Sequence, residues 1–134
     1  MTPSLVTSLE LSKRLKELGV PQDTDFYWCE LCPGVIKLFC SLCREHRDFG
    51  SYEVVCSAYL AGELGEILPT YFREIFAIQS RRAKHHSETG AEWLCGAQDD
   101  GGNWKIKVES HSEAEARGLM LAYLLENNLF TLTK

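Results

Sequence analysis

The chain has 134 residues, a formal net charge of −5, 45% apolar and 25% charged side chains, values that fit one globular domain with a continuous core and exclude wholesale disorder or a fibrous architecture. No run reaches the roughly 18 apolar residues that a bilayer span needs, and the opening MTPSLVTSLELSKR lacks the basic-then-apolar order of a secretory leader, so a cytoplasmic protein without a membrane segment is expected. The acidic balance argues against a nucleic-acid partner, because phosphate affinity comes largely from clustered Lys and Arg.

The first predicted element is an amphipathic helix over 8–18. Thr7 or Ser8 followed by Glu10 has a capping-box pattern, Leu11, Leu15 and Leu18 recur at helical spacing, and Gly19 with Pro21 ends it. Next, FYWCELC (26–32) and VIKLFCSLC (35–43) flank Pro33-Gly34 and read as a hairpin. With that dipeptide at the tip, Glu30 faces Lys37 and Trp28 faces Phe39, while Tyr27, Cys29, Leu31, Ile36, Leu38, Cys40 and Leu42 share the opposite, apolar face. The Trp28/Phe39 face is then a candidate docking patch. Residues 44–51 read as a polar loop.

A short strand is expected over 52–56, followed by a helix capped by Ser57 with Leu60, Leu64, Ile67 and Leu68 as its apolar stripe. Gly62 and Gly65 each cost about 1 kcal/mol against Ala inside a helix and point to close packing there. Three strands follow, over 70–79, 91–97 and 103–110, the last two joined by a turn at DDGG (99–102). Trp104, Ile106 and Val108 alternate as on a sheet with one wet face. Between the first two strands, Arg81, Arg82, Lys84, His85 and His86 read as a solvated loop.

The final helix starts at Ser112 with Glu115 in a capping-box pattern, carries Ala116, Leu119, Met120, Tyr123 and Leu124 at core-facing spacing, and ends near Asn127-Asn128, with Leu129 and Phe130 folding back onto the core. Residues 1–134 are thus expected to form a single α+β domain. It has a largely antiparallel sheet of about four to six strands with an amino-terminal, a central and a long carboxyl-terminal helix packed on it.

Six cysteines in a reducing compartment leave core thiols, a metal site or redox chemistry as the alternatives. Cys29, Cys32, Cys40 and Cys43 form two CxxC pairs, a zinc pattern, with a linker far shorter than the usual ~15–20 residues. The predicted hairpin sets their sulfurs at different heights and on both faces, which favours strand thiols over zinc. Trp28-Cys29-Glu30-Leu31-Cys32 also matches the WCxxC of thioredoxin-like oxidoreductases, but Pro33-Gly34 prevents the helix that would activate Cys29. His46, His85, His86 and His111 are scattered, and no nucleophile–base grouping or glycine-rich phosphate motif stands out. No catalytic, cofactor or metal residue is assigned.

Three segments, LSKRLKELGVPQDTDFYW, CSAYLAGELGEILP and EAEARGLMLAYLLENNL, resemble in that order a family of small phage and prophage proteins. The likeness spans nearly the whole chain, and it implies a phage or prophage origin and a shared fold rather than an activity. Taken together, these readings favour a non-enzymatic accessory protein that binds a protein partner or a second copy of itself. The alternative is a zinc-stabilised interaction or nucleic-acid module built on the four hairpin cysteines.

Overall fold

A computed structural model describes residues 5–40, 53–72, 76–82 and 91–132, with backbone only at 71, 72, 76 and 77. The elements in chain order are α1 (Leu9–Glu17), β1 (Phe26–Cys32), β2 (Val35–Cys40), β3 (Glu53–Ala58), α2 (Ala61–Ile67), β4 (Tyr71–Phe72), β5 (Phe76–Arg82), β6 (Trp93–Gln98), β7 (Trp104–Ser110) and α3 (Glu113–Glu126). The class is α+β, as expected. Its antiparallel strands divide between a three-stranded sheet, β2-β1-β3, and a four-stranded sheet, β4-β5-β6-β7. Helix α3 lies over β5, β6 and β7 and also touches α1 and α2, while α1 rests against β3.

The helix ends follow from local hydrogen bonding. Ser8 caps α1 through Leu11 N–H (3.3 Å), and Ser112 caps α3 through Glu115 N–H (3.1 Å). Neither cap closes into the expected box. Glu115 reaches across to accept from the Ser8 backbone N–H at 2.8 Å, so one carboxylate ties the starts of both helices together. At its other end α3 closes with Asn128 at φ 56 and Leu129 N–H bonded to Leu124 C=O (2.8 Å), which turns Leu129 and Phe130 onto the core.

Helix α3 is buried more widely than one stripe allows, because it sits between the four-stranded sheet and the other two helices. Met120, Leu121, Ala122 and Leu124 are all fully buried, whereas Tyr123, expected in the core, is 39% exposed. Gly118 lets α1 approach, since a Cβ there would meet Leu11 Cδ2 at 2.7 Å and Thr7 Cγ2 at 3.0 Å.

Other expectations change in the strands. The hairpin carries a bulge at Leu31, so Glu30 faces Ile36, Cys29 faces Lys37 and Trp28 faces Leu38, while only Cys32 and Val35 keep the register set by the tip. The stretch 70–79 is not one strand but the β4-β5 hairpin, and β5 runs on through Arg81 and Arg82, which were expected in a loop. Ser57 lies in β3 rather than capping α2. Its N–H donates to Gln22 Oε1 (2.8 Å), and α2 begins only after Leu60, whose N–H is capped by Glu63 Oε1 (2.8 Å). Gln22 also donates to the buried Tyr59 hydroxyl (2.6 Å), which donates to Pro21 C=O (2.7 Å). The Gln22–Tyr59 pair thereby pins the segment between α1 and β1 onto β3, and burial pushes the Tyr59 hydroxyl pKa up.

A second bulge, at Lys105, places Trp104 opposite Gln98 while Ile106 stays opposite Ala97. Trp104 is therefore on the other face from Ile106 and Val108, and its ring lies over Gly96, where a Cβ would meet Ile106 O at 2.2 Å and Trp104 Cε3 at 2.8 Å.

Candidate binding groove

The hairpin thiols are held apart. Cys40 is level with Phe26, Cys29 with Lys37 and Cys32 with Val35, and the step from Phe26 to Cys32 along β1 is ~20 Å at ~3.3 Å per residue. Zinc needs its sulfurs ~2.3 Å from one point, so these three cannot share an ion. Cys43 lies outside the described residues. Cys29 is buried beside β3, where burial, and then the neighbouring Cys56, raise its pKa; burial likewise raises that of Cys56, against the pull of Lys16 and Lys13. Among the described residues, no group of three or more His, Cys, Asp or Glu could hold a metal ion.

The expected Trp28/Phe39 patch is also dispersed. The bulge puts Phe39 opposite Tyr27, and Trp28 turns its indole N–H to Thr7 C=O at 3.2 Å. Of the basic run, Arg81 lies 5.9 Å over the Trp104 ring and Arg82 5.1 Å over Trp93, both as cation–π pairs across strands. Arg81 is further held by Gln79 Oε1 at 2.7 and 3.1 Å. Lys84, His85 and His86 lie outside the described residues.

What the fold does bring together is Ser80 of β5, Cys95 of β6, and Glu113 and Arg117 of α3, beside α2. Arg117 donates from Nε to Ser80 Oγ (3.0 Å), from Nη2 to Glu113 Oε2 (3.0 Å) and from Nη1 to Ala61 C=O (2.6 Å), while Ser80 Oγ donates to Glu113 Oε2 (2.8 Å). One guanidinium thus joins α2, β5 and α3. Gly65 is the glycine that this requires, since a Cβ there would sit 2.6 Å from Arg117 Nη1. Cys95, 1% exposed and opposite Ser80, has its thiol pushed up to about 12 by burial, with Arg117 opposing and Glu113 adding to the shift.

Alongside this cluster runs a groove of about 400 Å³, with Gly62, Gly65, Glu66, Leu68, Pro69 and Thr70 on one wall, Ile78, Gln79 and Ser80 on the other, completed by Cys95 and Arg117. That volume falls within the range of small-ligand pockets. The Ser80 hydroxyl is committed to Arg117 and Glu113, and the thiol is held protonated, so the arrangement can hold a ligand without a poised nucleophile. Gly62 opens on the groove with nothing within 4 Å of a Cβ placed there.

No family model, curated protein or solved structure matches the chain. The geometry stands by itself.

No single stretch of the sequence carries this site. The one local signal was Glu113 followed by Arg117, an i,i+4 pair on a helix; Ser80, Ala61 and the glycines join it only through the fold.

Proposed function

We propose that this chain is a non-enzymatic accessory protein that recognises a protein partner through the groove between α2 and β5, in the cytoplasm of a phage- or prophage-bearing cell. The observation carrying the proposal is that a groove of about 400 Å³ has its hydroxyl, Ser80, committed to Arg117 and Glu113 and its thiol, Cys95, buried and protonated. The resemblance of its three segments to phage proteins supports the origin, and five free described thiols suit a reducing compartment. No helix among the described residues is long and apolar enough to cross a membrane.

Panning the purified chain against a displayed random-heptapeptide library tests the reading. Enrichment of peptides that bind with dissociation constants at or below roughly the micromolar level is expected, and a library that shows no enrichment overturns it. Turnover of a generic ester or phosphoester, lost on Ser80→Ala, would replace the reading with an enzyme.

A further inference from the structure

We infer that the groove takes an extended segment of the partner protein, added as a strand to the outer edge of β5; this inference rests on the protein-binding reading above. The argument begins with main-chain direction. Ile78 N–H donates outward to Thr70 C=O at 2.9 Å, at the end of the β4 ladder. Alternate residues of a strand direct their N–H and C=O to the same side, so those of Ser80 and Arg82 point outward too, while Gln79 and Arg81 serve β6.

Strand β4 does not reach them. Continuing its pairing would set Leu68 beside Ser80, but the Leu68 N–H is already bonded to Leu64 C=O (2.8 Å) at the end of α2, and its side chain is 9% exposed in the core. The groove occupies the space that a longer β4 would fill. Two outward-facing residues accommodate a peptide of about four residues, at ~3.3 Å each.

The edge is also rigid. The Ser80 side chain is anchored by Glu113 and Arg117, which fixes the backbone that an incoming strand must meet. Opposite it, α2 presents Gly62, so a peptide side chain can lie close to the helix and against Leu68 and Ile78. Exposed Arg82 is the last residue of β5, where charge complementarity favours an acidic peptide residue. This is recognition by strand addition, in which main-chain bonds supply affinity and one or two side-chain seats supply selectivity.

The experiment joins amide exchange to peptide chemistry on the full chain. In the free protein, the Ser80 and Arg82 amides should exchange at least tenfold faster than that of Ile78, and should slow when a library-selected heptapeptide is added. Methylating that peptide's backbone nitrogens one at a time should weaken binding tenfold or more at every second position. Gly62→Leu, checked for an unchanged fold by circular dichroism, should lose binding by a similar factor. Selected peptides that bind with no two-residue periodicity, or equally well to Gly62→Leu, or a free protein already protected at Ser80 and Arg82, overturn strand addition and leave protein binding standing. A library that yields no binder overturns both.

Discussion

Strands β6 and β2 show how differently the two sheets meet the core. Central β6 is buried from Leu94 through Gln98 and lies under α3, whereas edge strand β2 has no fully buried residue and starts with an exposed Val35. The four-stranded sheet is thereby held in place by tertiary packing, and a groove can be built on its edge with fixed geometry. The β1-β2 hairpin depends more on its own cross-strand pairs, so a one-residue bulge there changes every pairing beyond it without disturbing the core. A site that needs preorganised groups belongs on the four-stranded sheet.

The contrast can be broken by substitution, beginning where the largest effect is expected. Met120→Ala, at a fully buried position of α3, should destabilise by about 2–5 kcal/mol through lost burial and a residual cavity. Gly96→Ala should lie at or above the upper end of the usual overpacking range of about 1–3 kcal/mol, because the obstructing atom is the backbone oxygen of Ile106 and cannot swing aside. Val54→Ala, at a side chain 54% exposed, should stay within about 0.5 kcal/mol. Urea unfolding measures all three, and comparable losses at Met120 and Val54 would erase the distinction between the sheets.

A smaller effect tests whether the polar cluster supports the groove. Arg117→Met removes a quarter-exposed guanidinium and leaves Glu113, Ser80 and Ala61 C=O short of a donor, for an expected loss of about 1.5–3 kcal/mol. The Arg14–Glu126 pair, at 44% and 39% exposure, is the control, and Arg14→Ala should cost about 0–1 kcal/mol. Equal losses would reduce Arg117 to a surface charge.

Cys95 adds a pH test with a defined sign. Burial pushes its thiol up to about 12 in the folded chain, above the ordinary thiol range that holds on unfolding, so its contribution to stability is fully present below that range and is lost as pH rises toward 12. Comparing Cys95→Ala with the parent from pH 8 to 11 isolates that contribution from other alkaline titrations. The parent should lose more stability over this range than the variant; parallel curves would show that the thiol is not desolvated.

Much of the fold was legible because it is local. Ser8 and Ser112 as caps, the Asn127-Asn128 helix end and the Asp99 turn each depend on a few adjacent residues; Asp99 Oδ1 accepts from the N–H of Gly101 (2.9 Å) and of Asn103 (2.8 Å), which holds its carboxyl below the usual range, with the Asn103 bond leading. Ser57 misled because its chemistry suits a helix start, whereas Gln22, 35 residues away in sequence, claims its N–H for the sheet. Tyr123 misled because α3 has neighbours on two sides, so no single stripe defines its buried face. The groove was out of reach because its walls come from α2, β5, β6 and α3, and nothing in any one segment announces the others.

The smallest expected effect decides the hairpin register. If Glu30 faced Lys37, an opposite-charge pair would contribute roughly 0.2–1 kcal/mol, and reversing both charges would recover most of what each single reversal loses. The bulge at Leu31 instead puts Glu30 opposite Ile36 and Lys37 opposite Cys29, so the two charges lie on opposite faces of the hairpin. Glu30→Lys and Lys37→Glu should therefore be additive, with a coupling below about 0.3 kcal/mol at low salt. A coupling near 1 kcal/mol would restore the unbulged register. It would also return Cys29 and Cys40 to one face and Trp28 and Phe39 to the other, reviving the docking patch that the bulge disperses.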